Sequence, residues 1–60
     1  MNEVEKLILI SRKSAKELAP ILNTSETQIS RYKKGKTEIT VALLKKWCEI
    51  LQIDIKKLFN

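Results

Sequence analysis

Four cations fall within six residues, Arg31, Lys33, Lys34 and Lys36, and no acid lies between Arg31 and Thr37. Guanidinium and ammonium groups this dense suit a polyanion, and phosphate oxygens are their ordinary partners. The competing reading is a solvated charged face. Just upstream stand Glu26, Thr27 and Gln28. Together with Arg31 they carry the groups that read base edges. Arginine grips guanine with two N–H donors, glutamine pairs with adenine, threonine meets a thymine methyl and glutamate accepts from the cytosine amine. Two of the four also have local explanations. Glu26 favours a helix N-terminus through its charge, and Gln28 completes a capping box.

Other chemistries find little support. Ser14 and Ser25 are candidate nucleophiles by type, but the chain has no histidine, and neither serine has a base at catalytic spacing. Helix capping accounts for both. Cys48 is the single cysteine, so an internal disulfide and a zinc site are both excluded. Trp47 and Cys48 read as packing residues, since buried cysteine is ordinarily inert. The expectation is a protein that is not an enzyme, holds no metal or cofactor, and works in the reducing cytoplasm. The apolar run Leu7–Ile10 is too short for a signal-peptide core or a membrane span.

Helices must position these groups. Only one glycine and one proline interrupt the chain, which disfavours a turn-rich β fold. Val4, Leu7 and Ile8 repeat at helical spacing from Asn2 to about Ile10. Ser14-Ala15-Lys16-Glu17 fits a capping box, followed by an apolar face of Leu18, Ala19, Ile21 and Leu22. Asn23 tolerates the left-handed conformation of a helix end. Ser25-Glu26-Thr27-Gln28 starts another helix, with Ile29 and Tyr32 inward and Gly35 as terminator. Thr40 caps a fourth, striped by Val41, Leu44, Trp47, Cys48 and Leu51 and widened by Leu43 and Ile50. Asp54 caps a short fifth, Ile55 to Phe59, with Leu58 and Phe59 turned to the core. Pro20 inside the second helix removes a hydrogen bond, so a kink, an irregular turn near Lys16–Pro20 or a shortened helix is expected.

Composition agrees with a folded nucleic-acid partner. Of the 60 residues 43% are hydrophobic, and 12 Lys+Arg against 7 Asp+Glu leave a formal charge of +5. A small basic domain attracts nucleic acid or an acidic membrane. The apolar stripes suit a packed core better than a membrane surface.

Two capped helices joined by a short turn form a helix-turn-helix arrangement, whose second helix enters the major groove. From Val4 to Phe59 the chain resembles, without gaps, the lambda-repressor-like (Cro/CI, XRE-type) DNA-binding domains. The resembling residues are Ser14, Glu17-Leu18-Ala19, Leu22, Ser25, Ile29-Ser30-Arg31, Gly35-Lys36, Leu44, Cys48, Leu51, Ile53, Leu58 and Phe59. The resemblance implies an all-α, five-helix domain over residues 1–60 that binds double-stranded operator DNA as a homodimer, with no membrane and no small-molecule effector. It implies base contacts from Glu26, Thr27 and Arg31, with Gln28 near bases or backbone. Ser14, Ser25, Lys33, Lys34, Lys36 and Thr37 are the expected phosphate contacts.

Some residues depart from the pattern. Ala15 stands where the family commonly has a DNA-contacting glutamine. Ile8 and Lys33 replace a buried Arg–Glu pair, so Ile8 is expected to pack apolarly and Lys33 to face phosphate. Asn23 and Thr24 replace glycine and valine. The expected function is a Cro-like repressor of a phage or other mobile element. The alternatives are an antitoxin or restriction-modification controller, or a protein-interaction module that has lost DNA binding. Ile55, Phe59, Leu43 and Ile50 either close the monomer core or form a dimer seam.

Overall fold

Every helix begins where the sequence supplies a capping side chain. The computed structural model describes residues 1–59 and contains α1 (Glu3–Ser11), α2 (Ala15–Ile21), α3 (Glu26–Lys33), α4 (Val41–Leu51) and a C-terminal 3-10 helix (Ile55–Leu58). Ser14 and Glu17 form both halves of the expected capping box. The Glu17 N–H donates to Ser14 Oγ at 3.2 Å, and the Ser14 N–H donates to Glu17 Oε1 at 3.0 Å. Thr40 Oγ1 accepts from the Leu43 N–H at 3.1 Å, and Asp54 Oδ1 accepts from the Lys56 N–H at 3.0 Å.

The second expected box is only half formed. Ser25 Oγ accepts from the Gln28 N–H at 3.1 Å, but the Gln28 side chain turns the other way and donates to the Tyr32 hydroxyl at 3.1 Å. A box that the sequence reading passed over does form at α1. Asn2 Oδ1 accepts from the Glu5 N–H at 2.9 Å, while Glu5 Oε1 accepts from the Asn2 N–H at 3.3 Å.

The helix ends are equally defined. Arg12, Asn23, Gly35 and Gln52 all have positive φ, between 55° and 76°, at the ends of the four α-helices. At Asn23 and Gly35 the chain then folds back in the way typical of a left-handed terminator. The Thr24 N–H reaches the Ala19 carbonyl at 2.9 Å, and the Lys36 N–H reaches that of Arg31 at 3.0 Å. Pro20 produces no irregular turn. It is the penultimate residue of α2 and exposed, and intact bonds flank it, Leu18 N–H to Ser14 O at 3.0 Å and Leu22 N–H to Leu18 O at 2.8 Å. The proline forgoes one bond, the one its missing N–H would make to the Lys16 carbonyl, in the last turn of a seven-residue helix.

The core consists of Val4, Leu7, Leu18, Ala19, Leu22, Ile29, Leu44, Trp47, Cys48 and Leu58, drawn from all five elements. Burying each large side chain contributes roughly 1.5–3 kcal/mol. Burial pushes the Cys48 thiol pKa up, and the nearby Asp54 charge adds to this. Tyr32 meets Trp47 edge-on, with ring centroids 5.7 Å apart, and so links α3 to α4.

Four apolar residues that the sequence placed on inward faces or at a seam are exposed, and the fifth helix is not an α-helix. Val41 is 64% exposed and Phe59 56% exposed, with Ile21 and Ile50 also on the surface. Val41 is the first residue of α4. The last element makes three-residue bonds, Lys57 N–H to Asp54 O and Phe59 N–H to Lys56 O. Successive side chains in a 3-10 helix turn by about 120°, so a fully buried Leu58 sends Phe59 outward. Leu43 and Ile55 are half-buried against the core. Of the four candidates for a dimer seam, Ile50 and Phe59 are thus exposed, while Leu43 and Ile55 help close the monomer.

The Ser14–Glu17 box makes stability depend on pH. The hydrogen bond from the Ser14 backbone holds the Glu17 carboxyl below its ordinary pKa, helped by the Ser14 side chain and the Lys13 charge. The folded pKa lies below the unfolded one, so this contribution is complete above about pH 4.5 and fades as the pH falls through the folded value. Thermal melts of Glu17→Gln should therefore show a shallower acid-side decline than the parent. Parallel curves would contradict this.

Candidate nucleic-acid interface

The interface is built on α2 and α3, the most extensively packed helix pair. Ala19, 8% exposed, sits at their joint, where a small side chain allows close approach. Leu22 and Ile29 are buried behind it. The chain between the helices, residues 22–25, is held by the left-handed Asn23. This geometry fixes the N-terminal end of α3 relative to that of α2.

On the outer face of α3 lies an open depression of about 710 Å³. Its walls include Glu26, Thr27, Arg31, Lys33, Lys34, Lys36 and Thr37. All seven are site residues expected from the sequence, brought to one surface by helical periodicity and by the turn at Gly35, where φ is 76°. Ser30 and Ala15 complete the lining. The sequence reading placed no contact at Ser30. Its spacing, three residues after Thr27 and four after Glu26, is the signal that puts it on the same face.

Three expected site residues lie elsewhere. Gln28 is half-buried and faces a different hollow with Leu22, Asn23, Thr24, Tyr32, Leu43, Lys46 and Trp47. Its amide is engaged by the Tyr32 hydroxyl. Ser14 and Ser25 are exposed at the starts of α2 and α3, each accepting a backbone N–H. A hydroxyl that accepts one bond still has its own proton to donate.

Charge dominates the depression: four cations, Arg31, Lys33, Lys34 and Lys36, stand against the single acid Glu26. All four cations are exposed, and among the described residues no carboxylate pairs with them. Glu26 lies in the first turn of α3, with Arg31 and Lys33 in the last, so the charges also complement the helix dipole. Ile8, half-buried, packs against the core, and Lys33 lines the depression instead of pairing with an acid. The apolar packing of Ile8 is the one expected from the sequence.

A helix-turn-helix family model matches residues 4–58. The chain belongs to the Cro/CI-type helix-turn-helix family. No curated protein and no solved structure matches the chain significantly. Membership makes this helix-turn-helix domain a DNA-binding regulator with double-stranded DNA as its ligand. Among the described residues no group of three potential ligands surrounds a metal position, and no helix is long and apolar enough to cross a membrane.

Proposed function

We propose that this helix-turn-helix domain is a sequence-specific, Cro-like repressor of a phage or other mobile element, acting as a homodimer in the cytoplasm without catalysis, cofactor or small-molecule effector. The observation that carries the reading is the single surface on which candidate base readers and unpaired cations alternate. An α-helix about 10–12 Å across fits a major groove about 12 Å wide. In this docking Glu26, Thr27 and Arg31 face base edges. Lys33, Lys34, Lys36 and Thr37 meet the phosphates at the groove's edge, and Ser14 and Ser25 donate to the backbone at the two helix starts. Gln28 serves α3 indirectly, through Tyr32.

Size supports two copies. The domain measures 25 × 21 × 20 Å, whereas half-sites lie about 34–36 Å apart, centre to centre. One copy therefore covers one half-site. The exposed Phe59, Ile50, Leu9 and Ile10 supply apolar surface for pairing. A dimer seated on an operator that overlaps a promoter blocks transcription by occupancy alone.

Lys34→Ala and Lys36→Ala should each weaken binding to every duplex and reduce the slope of log affinity against log salt by about one. An unchanged slope would remove that residue from the phosphate contacts. The reading as a whole is tested by selecting bound sequences from a random duplex pool at near-physiological salt. Recovery of a palindrome supports a two-fold dimer reading specific sites. No enrichment, with weak binding that vanishes as salt rises, overturns the specific-repressor reading in favour of a protein-interaction module.

A further inference from the structure

The carboxamide of Asn2 joins two helix ends. Its Oδ1 caps α1 at Glu5, while its Nδ2 donates to the carbonyls of Tyr32 and Lys33, both at 2.9 Å. These carbonyls belong to the last turn of α3, thirty residues away in sequence. All the polar capacity of the amide nitrogen is used. Reversing the carboxamide would set its oxygen against two carbonyl oxygens, so the network permits one orientation.

We propose that Asn2 is a positioning residue for DNA binding, holding the C-terminal end of α3 and the cations that follow it in register with the rest of the domain. The proposal rests on the reading of the α3 depression as the duplex-binding surface. The last carbonyls of a helix have no partner within it. Here the Tyr32 carbonyl also accepts from the Gly35 N–H at 3.1 Å, and the Arg31 carbonyl accepts from the Lys36 N–H at 3.0 Å. Asn2 therefore fastens the same backbone turn that carries Lys33, Lys34 and Lys36. The Tyr32 side chain is held independently, by Gln28 at the hydroxyl and Trp47 at the ring, which anchors the middle of α3 and leaves its end to Asn2. The tie is uncharged: Lys33 keeps its ammonium for the depression while its carbonyl is held. Without the tie, three cations sit on a turn secured only by bonds local to α3, and ordering that turn on DNA costs conformational entropy.

Capping and tying are separable by substitution. Serine caps a helix about as well as asparagine and keeps the net charge, but it is too short and has too few donors to reach both carbonyls. Asn2→Ser and the parent are compared at a temperature where both are folded, on a random-sequence duplex of about 30 base pairs across a salt series. The expected result is roughly three- to tenfold weaker binding, the scale of one or two lost hydrogen bonds, with a salt slope smaller by about one. A residue needed only for stability would leave both quantities unchanged in the folded variant, and that outcome overturns the proposal. If the parent itself fails to bind the duplex, the DNA reading falls and the proposal with it. If Asn2→Ser is incompletely folded, Asn2→Gly replaces it. Glycine is also a favoured N-cap, keeps the net charge and has no side chain to donate to the two carbonyls. Amide exchange at Gly35 and Lys36 should then be faster than in the parent, and unchanged exchange overturns the tie.

Discussion

Arg31→Ala should erase most of this domain's preference for its selected site while leaving it able to bind DNA in general. Arg31 is exposed in the depression on α3, five residues after Glu26 and next to Lys33, Lys34 and Lys36. A bidentate arginine–guanine contact contributes about 1–3 kcal/mol of discrimination, a loss of roughly 5- to 150-fold in the ratio of selected to scrambled duplex. Arg31→Lys separates the two ways an arginine acts. Lysine keeps the charge but loses the planar fork. Discrimination should fall nearly as far as with alanine, whereas affinity for scrambled DNA should stay near the parent value. Competition binding with the two duplexes gives both quantities. If Arg31→Lys retained full discrimination, Arg31 would be a phosphate contact and the bases would be read elsewhere on α3.

Leu18→Ala should unfold much of the population at moderate temperature. Leu18 has no exposed surface and lies on α2 directly before the helix joint at Ala19. Truncating a buried leucine costs about 2–5 kcal/mol. A domain this small buries only about 60% of the surface its unfolded chain exposes, and native domains hold about 5–15 kcal/mol in all. The substitution therefore removes a large share of the total. Trp47, the only tryptophan and 2% exposed, reports the change directly through its fluorescence in urea titrations of parent and variant. A midpoint shifted by less than the equivalent of about 1 kcal/mol would mean that the core repacks around the gap.

The two predictions draw on parts of the molecule that were not equally legible in sequence. The helices were readable because their starts are chemically explicit: Ser14, Ser25, Thr40 and Asp54 all accept the N–H groups expected of caps. That seven of the expected site residues share one surface was readable because helical periodicity and one glycine turn determine it. What the pattern could not give was the depth of each apolar residue. Val41 and Phe59 have the right spacing for the core yet are exposed, since spacing sets the face of a helix and not how far the neighbouring elements extend. Gln28 was misjudged as a capping-box partner because a long amide chooses among partners in space, and here its Nε2 donates to the Tyr32 hydroxyl four residues on. The Asn2 box had a local signal, Asn2-x-x-Glu5. Its bonds to Tyr32 and Lys33 had none, because they depend on how α1 crosses α3.

The position of α1 also bears on the order in which the domain can assemble. Its N-terminus is bonded to the end of α3, and Lys6 Nζ donates to the Leu58 carbonyl at 3.1 Å, 52 residues further along the chain. Of the five elements α1 is made before the others, and it finds its last partner only when Leu58 has been added. Until then Leu7 and Val4 have an incomplete core to enter, and a nine-residue helix is marginal in isolation. Closure of the core by α1 and the 3-10 helix therefore cannot precede synthesis of Leu58.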